Sequence, residues 1–203
     1  MGHVMNLFMQ DKVELLPYDF GAVLHSDVWR NDECRTITSR LTHELDWAQV
    51  FVEVFNRRVA QPRLTCWYGD PGKNYSYSGT RLNPLDWTSL LSEIKQKTEV
   101  VSNVTFNSVL GNLYRTGSDG VSWHSDNEPE LGLNPTIASV TFGATRRFDM
   151  RHRETKEIIH IDLTPGSILV MSGESQSKWQ HQIAKTKKEV APRVNLTFRT
   201  IHV

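Results

Sequence analysis

The spacing of apolar residues near the start of the chain predicts an amphipathic helix. Ile37, Leu41 and Leu45 recur every fourth residue, as they would along one face of a helix. Asn31 or Asp32 stands where a side-chain oxygen can cap the first turn. We therefore expect a helix that begins near these two residues and buries its apolar stripe.

A second helix and many strands account for most of the remaining chain. The helix is expected to begin at Pro84, after Asn83. Four apolar residues are expected on its buried face: Trp87, Leu90, Leu91 and Ile94. Strands are predicted over residues 48–55, 64–68, 106–114, 137–142, 146–152, 157–163, 167–172 and 193–201. Residues 1–30 are expected to form an irregular arm that packs five apolar residues on the body: Val13, Leu15, Leu16, Tyr18 and Phe20.

Two helices followed by many short strands predict an α+β fold that is mainly β. In such a fold the N-terminal helices pack on one side of a β-sandwich or jelly roll. The 203 residues show no repeat and no linker, so a single domain over residues 1–203 is expected. The chain shows no signal peptide and no apolar stretch of membrane-spanning length. We expect a monomer that binds no membrane and resides in the cytoplasm, or in the nucleus of a eukaryote.

Charge is balanced over the chain but unevenly distributed. The 23 Lys and Arg residues equal the 23 Asp and Glu residues, so the net charge identifies no partner. Residues 1–50 carry eight acids against four bases, whereas residues 145–199 carry eleven bases against six acids. A basic C-terminal third is compatible with a polyanionic ligand, and equally with an ordinary solvated surface.

The segment WHSD, residues 123–126, contains a candidate metal-binding pair. His124 and Asp126 are two residues apart, so at the end of a strand their side chains point to the same side. An imidazole and a carboxylate that converge in this way are two ligands of the 2-His-1-carboxylate triad, which holds Fe(II). Alone, the pair is more typical of a polar loop, because such spacing recurs by chance.

The last predicted strand places two arginines on one face. In residues 193–199 apolar and polar side chains alternate strictly, so Arg193 and Arg199 point to the same side. An unpaired buried charge is costly, and a buried face of this kind therefore needs an anion. A dicarboxylate fits, because arginine binds carboxylates in a bidentate fork. The alternative is a half-exposed strand whose arginines are solvated.

Three further polar residues complete a candidate pocket. Asn112 and Tyr114 lie on one face of an earlier strand and can donate to carboxylate oxygens. His181 follows a turn-rich segment and precedes the strand with the two arginines. This order predicts a pocket for a metal and an acidic cosubstrate.

Three motifs together resemble the signature of the AlkB family of 2-oxoglutarate- and Fe(II)-dependent dioxygenases. They are WHSDNE from residue 123, WQH from residue 179 and APRVNLTFR from residue 191. The resemblance implies a double-stranded β-helix with a catalytic core over residues 106–203 and a nucleotide-recognition segment over about residues 48–82. It implies three iron ligands: His124, Asp126 and His181. It also implies five residues that hold 2-oxoglutarate: Asn112, Tyr114, Arg193, Thr197 and Arg199.

The resemblance further implies oxidative demethylation of N-alkylated bases in DNA, of the 1-methyladenine and 3-methylcytosine type. The reaction would use Fe(II), 2-oxoglutarate and dioxygen and would release formaldehyde and succinate. Duplex-acting members carry phenylalanine at the position of Tyr77 and aspartate at that of Asn127, which leaves the base preference open. Five residues would receive the flipped base: Tyr75, Tyr77, Ser78, Asn127 and Glu128.

Basic and aromatic residues outside these motifs are candidate contacts with the nucleic-acid backbone. In the duplex-acting branch an apolar residue at the position of Phe55 wedges into the base stack. Five arginines are expected near phosphates: Arg57, Arg58, Arg63, Arg151 and Arg153. The alternative places Phe55 in the core and leaves the arginines solvated.

Two other functions remain open at this point. One is the same iron and 2-oxoglutarate chemistry acting on RNA or another substrate. The other is a non-catalytic jelly-roll module that binds a ligand. The second is disfavoured, because a binding module has no use for the three ligands and two arginines together.

Overall fold

Two antiparallel sheets lie face to face in the structure, a computed structural model that describes residues 12–15, 21–54, 57–73, 75–77 and 80–202. Over these residues the larger sheet has seven strands and the smaller has four. Apolar side chains from both sheets form a core between them. Two further hairpins, each of two strands, lie outside the sheets.

The elements are named in chain order. The strands are β1 (Lys12–Glu14), β2 (Ala22–His25), β3 (Phe51–Val54), β4 (Arg57–Ala60), β5 (Leu64–Gly69), β6 (Tyr75–Tyr77), β7 (Thr80–Leu82), β8 (Ser108–Tyr114), β9 (Val121–His124), β10 (Ile137–Gly143), β11 (Arg146–His152), β12 (Ile158–Leu163), β13 (Ile168–Met171), β14 (Trp179–Ile183) and β15 (Arg193–Arg199). The helices are α1 (Asn31–Glu44), α2 (Ser89–Ser102) and α3 (Ser175–Lys178).

The order of the strands is that of a double-stranded β-helix. The larger sheet runs β1-β2-β13-β10-β15-β8-β5, and the smaller runs β12-β11-β14-β9. From β8 to β15 the chain passes from one sheet to the other at every step except between β11 and β12. The prediction of a mainly β jelly roll is therefore confirmed.

Helices α1 and α2 cover the outer face of the larger sheet and fix which side of β15 points inward. Val194, Leu196 and Phe198 are at most 1% exposed and share a core cluster with Leu41 of α1 and Leu91 of α2. Fully burying one such side chain contributes roughly 1.5–3 kcal/mol. The polar residues of β15 consequently face the space between the sheets.

Strands β1 and β2 correct the expectation of an irregular arm over residues 1–30. β2 pairs with β13, and β1 pairs with β2, so both extend the larger sheet at one edge. Leu15 packs against the core between the sheets, but Val13 is 48% exposed. The other three residues expected to pack lie outside the described residues: Leu16, Tyr18 and Phe20.

The start of α1 differs in its cap from the prediction. The helix begins at Asn31, and Arg30 occupies the N-cap position with an extended backbone. The carboxylate of Glu33 accepts a hydrogen bond from the backbone N–H of Arg30 at 2.8 Å. The first turn is therefore closed by an acidic side chain three residues on, and the predicted cap at Asn31 or Asp32 is wrong.

Helix α2 begins at Ser89, five residues later than the predicted start at Pro84. The intervening segment is bound to β5, because Leu85 donates its backbone N–H to the carbonyl of Trp67 at 2.9 Å. The hydroxyl of Thr88 then accepts a hydrogen bond from a first-turn N–H and caps the helix.

Across the described part of the chain, no helix has both the length and the apolar character needed to span a membrane.

All eight predicted strand regions contain a strand. Beyond the N-terminal arm, the predicted regions do not include β4, β6, β7, β9 or β14, each of which has five residues or fewer. A strand this short has too few residues to show a clear alternation, so its pairing partner decides its conformation.

Candidate metal centre and adjoining cavity

The three predicted metal ligands come together where β9 and β14 pair. His124 ends β9 and lies directly opposite His181 of β14, with ring centroids 4.3 Å apart. Asp126 follows two residues beyond β9, and its Oδ1 is 3.9 Å from Nε2 of His124. Ligand atoms of all three residues lie within 4.8 Å of one another. One ion can therefore reach all three.

Both histidines are prepared to offer a lone pair. Nδ1 of His124 lies 2.8 Å from the carbonyl oxygen of Ser122, so it can donate its proton there and leave Nε2 free to ligate. Burial lowers the pKa of His181 to about 3, helped by His124 and Arg199 and opposed by Asp126. His181 is thus neutral at physiological pH, as a metal ligand must be.

Asp126 is held as a carboxylate. Burial alone would raise its pKa, but Arg199, His181 and His124 outweigh burial and hold the pKa well below its ordinary value. The nearest of these groups is the Arg199 guanidinium, whose Nη2 lies 2.8 Å from Oδ2 of Asp126. The triad therefore combines two imidazole nitrogens with one anionic oxygen donor.

A cavity of about 450 Å³ adjoins the three ligands and extends between the two sheets. The polar face of β15 forms one wall of it. Four side chains from that face line the cavity: Arg193, Asn195, Thr197 and Arg199. The strict alternation read from the sequence thus places both arginines inside the jelly roll.

Arg193 carries a buried positive charge that needs an anion. Its side chain is 1% exposed, and burial lowers its pKa to about 10, so the guanidinium is still charged at neutral pH. Nη2 donates to the Thr141 hydroxyl at 2.9 Å. Nε and Nη1 have no hydrogen-bond partner among the described residues. These donors fit a carboxylate of a bound acid.

The other residues predicted to hold 2-oxoglutarate line the same cavity. The ring of Tyr114 lies 5.3 Å from the guanidinium carbon of Arg193. Oδ1 of Asn112 accepts a hydrogen bond from Arg63, and the Thr197 hydroxyl donates to Asn195 at 3.1 Å. Asn112 and Thr197 are thus already fixed by neighbouring side chains.

Arg63 is the clearest correction among the predicted nucleic-acid contacts. It is 5% exposed and lies in the cavity wall, where Nε donates to Asn112 at 2.8 Å. A residue buried in this way does not reach phosphates on the surface.

Asn195 also lines the cavity. It was not predicted as a site residue, although its place on the polar face of β15 indicated that it would point inward.

The residues predicted to receive the base divide into three groups. Glu128 lines the cavity, and its buried Oε2 has no partner among the described residues, whereas Asn127 is exposed. Tyr75 and Tyr77 lie on β6, which pairs with β7. Ser78 lies outside the described residues, as does Phe55, the predicted wedge.

The other arginines that were predicted to contact the nucleic-acid backbone lie on or next to two separate strands. Arg57 and Arg58 are exposed on β4, where the Arg58 guanidinium lies 4.4 Å from the Phe51 ring centroid. On β11, Arg151 stacks over the ring of Trp123 at 4.3 Å. Arg153 follows β11 and is exposed.

Comparison with known proteins identifies the family. A model of the 2OG-Fe(II) oxygenase superfamily matches residues 21–199. The chain belongs to this superfamily. A 2OG-Fe(II) oxygenase requires a divalent iron, and the His–Asp–His donor set fits one. Nε and Nη1 of Arg193, which have no partner among the described residues, fit a carboxylate of 2-oxoglutarate, the acid that the family's name abbreviates.

Within the superfamily the relatives of this chain are AlkB homologues. Human alpha-ketoglutarate-dependent dioxygenase alkB homolog 3 is 41% identical over 179 residues, covering 84% of this chain and 62% of that protein. Human DNA oxidative demethylase ALKBH2 is 37% identical, covering 83% of this chain and 69% of that protein. The chain thus spans less than two thirds of the length of its alkB homolog 3 relatives.

A solved structure shows the same fold. The structure of OsALKBH1 matches with a TM-score of 0.66 and covers 92% of this chain and 99% of its own. The TM-score shows that the two chains share a fold, and at 18% identity the likeness shows the fold alone.

Proposed function

We propose that this chain repairs alkylated DNA by oxidative demethylation of bases such as 1-methyladenine and 3-methylcytosine. The observation that supports this most is that the metal triad and the buried arginines open into one cavity. Relatives that are 37–38% identical are named DNA oxidative demethylases. The products would be formaldehyde, succinate and the unmethylated base.

The cavity residues would place the cosubstrate beside the metal. Arg193 would bind one carboxylate of 2-oxoglutarate through Nε and Nη1, with Tyr114 beside it. His124, Asp126 and His181 would hold Fe(II) through one face and leave the other coordination positions open. When bound, Fe(II) with 2-oxoglutarate and dioxygen would supply the oxidation of an N-methyl C–H bond, and the methyl carbon would be released as formaldehyde.

Glu128 would recognise the flipped base. Its buried Oε2 is an acceptor without a partner among the described residues, on the cavity wall near the metal ligands. Both 1-methyladenine and 3-methylcytosine carry an exocyclic amino group that can donate to such an oxygen. Four further residues are proposed to surround the base: Tyr75, Tyr77, Ser78 and Asn127.

The nucleic-acid backbone would cross two basic surfaces. Arg57 and Arg58 belong to the β3–β4 hairpin, whose residues Val52 and Val59 line the cavity. This hairpin and the β6–β7 hairpin lie within residues 48–82, the proposed nucleotide-recognition segment. From the smaller sheet, Arg151 and Arg153 would contact phosphates.

Since one chain supplies the cavity, we propose that the protein acts as a monomer.

The proposal is tested with oligonucleotides that carry a single 1-methyladenine or 3-methylcytosine. Protein purified without oxygen would receive Fe(II) and 2-oxoglutarate and then air, and the mass of the base would be followed together with formaldehyde. We expect demethylation that disappears in His124→Ala. Comparing single-stranded DNA, duplex DNA and RNA identifies the substrate, and demethylation of RNA alone would contradict the DNA assignment.

A further inference from the structure

The loop that carries Asp126 is held by a glutamine outside the metal triad. The backbone N–H of Asp126 donates to Oε1 of Gln176 at 2.9 Å. Gln176 lies in α3 and is 1% exposed. Its Nε2 donates to the Ser175 hydroxyl at 3.3 Å and contacts Sδ of Met171 at 3.6 Å. These contacts fix the amide with its oxygen towards Asp126.

Ser125, between two ligands, ties the same loop to β14. Its hydroxyl donates to the carbonyl of Trp179 at 2.7 Å, two residues before His181. The same hydroxyl accepts a hydrogen bond from Nη2 of Arg153 at 2.7 Å. Ser125 therefore joins the segment of the first two ligands to the strand of the third.

The backbone ladder pairs His124 with His181 but does not extend to Asp126. The pairing of β9 with β14 shifts between the His124–His181 pair and the Val121–Ile183 pair. Asp126 lies beyond the end of β9. Arg199 contacts the Asp126 carboxylate directly, while the hydrogen bonds of Ser125 and Gln176 hold the backbone of the loop that carries Asp126.

We propose that Ser125 and Gln176 are positioning residues that hold the three ligands at metal-binding distance. The inference rests on the proposed iron site and goes beyond it, because neither side chain is a ligand. Removing a group that orients a metal ligand typically lowers metal affinity or activity by 10- to 100-fold. Loss of either contact should therefore weaken metal binding without altering the donor set.

The test is a titration of the metal-free protein with Co(II), an absorbing substitute for Fe(II), in the absence of oxygen and nucleic acid. We expect Ser125→Ala and Gln176→Leu each to raise the Co(II) dissociation constant about tenfold or more. Ser125→Thr keeps the hydroxyl and should retain most of the affinity. Ser177→Ala is the matched control, since that exposed hydroxyl of α3 bonds only the nearby Glu174 carbonyl in the described part of the chain.

Thermal midpoints of the metal-free variants separate a weakened site from an unfolded protein. If Gln176→Leu does not fold, the comparison of Ser125→Ala with Ser125→Thr decides the question. Dissociation constants within twofold of the parent in both Ser125→Ala and a folded Gln176→Leu would overturn the inference while leaving the iron site intact. No Co(II) binding by the parent protein would overturn the iron site and the inference together.

Discussion

At the residue scale, the buried guanidinium of Arg193 connects the fold to the proposed cosubstrate. The hydrogen bond to Thr141 uses only one of its nitrogens, and Nε and Nη1 have no partner among the described residues. Leaving a buried charge unpaired is costly, so this position is best explained by an anion that binds there. A carboxylate of 2-oxoglutarate meets that need.

Arg193→Met is expected to raise KM for 2-oxoglutarate by about 30-fold or more. Removing one partner of a buried, hydrogen-bonded charge pair costs about 2 kcal/mol or more, and this cost falls on cosubstrate binding. Succinate formation at varied 2-oxoglutarate measures it. Arg35→Met, at an exposed position of α1, is the control and should keep the parent KM. An unchanged KM in Arg193→Met would show that the cosubstrate binds elsewhere.

Local sequence was sufficient for some site residues and insufficient for others. The two-residue spacing of His124 and Asp126 is a property of neighbouring residues and was enough to predict that they converge, although Asp126 lies just beyond the end of β9. Arg63 could not be placed in this way. It enters the cavity because β5 pairs with β8 in a register that sets Leu64 opposite Leu113. That register is a contact between distant segments, so no local pattern reports it.

At the scale of elements, the β3–β4 hairpin is the part of the fold that we propose to contact duplex DNA. It contributes Val52 and Val59 to the cavity wall and carries the exposed Arg57 and Arg58. In the sequence Phe55 lies between these two strands, and its wedge role stays a prediction.

Phe55→Ala is expected to lower activity on methylated duplex DNA about tenfold or more and to leave single-stranded activity nearly unchanged. Unstacking a base step costs a few kcal/mol, and a wedge lowers that cost only where a stack exists. Initial rates on matched duplex and single-stranded oligonucleotides measure the ratio. Phe51→Ala, on the same hairpin, serves as the control. Equal losses on both substrates would contradict the wedge.

Neutralising Arg151 and Arg153 together is expected to flatten the salt dependence of DNA binding. Each phosphate contact contributes about −0.9 to the slope of log affinity against log salt on duplex DNA, so the slope should become less negative by about 1 to 2. Binding at several salt concentrations provides the slopes. The control is Arg147→Gln on the same strand, because Arg147 is paired with Asp149 at 2.9 Å. A slope equal to the parent's would show that neither arginine contacts a phosphate.

The strands of seven residues were predictable, whereas the strands of three residues were not. β11 and β15 each have seven residues, enough for their alternation to predict them at or close to their observed boundaries. β6 and β7 have three residues each and depend on pairing with each other. The late start of α2 has the same cause, since a contact with β5 keeps Leu85 out of the helix.

At the scale of the whole molecule, the two-sheet topology assembles the site from distant segments. β8, β9, β14 and β15 are neighbours in space although β8 ends at Tyr114 and β15 begins at Arg193. Composition and periodicity predicted two helices packed on a β-sandwich or jelly roll. The convergence of the ligands on one point followed from the family resemblance, because strand order between sheets leaves no local trace.

Metal and cosubstrate together are expected to stabilise the folded protein. At concentrations about 100-fold above the dissociation constant, a ligand specific for the folded state adds about 2.7 kcal/mol. For a chain of this size that corresponds to a rise in Tm of roughly 5–10 °C. Thermal unfolding with Mn(II) and 2-oxoglutarate measures it. The rise should vanish in His124→Ala, and an equal rise in that variant would locate binding away from the triad.

The ratio of formaldehyde to succinate during turnover with a 1-methyladenine oligonucleotide tests whether the metal, 2-oxoglutarate and the methylated base share one cavity. One cavity that joins the metal, 2-oxoglutarate and the methylated base predicts close to one formaldehyde for each succinate, with both products lost in Asp126→Ala. Succinate formed at the same rate without formaldehyde, whether or not methylated DNA is present, would contradict the account.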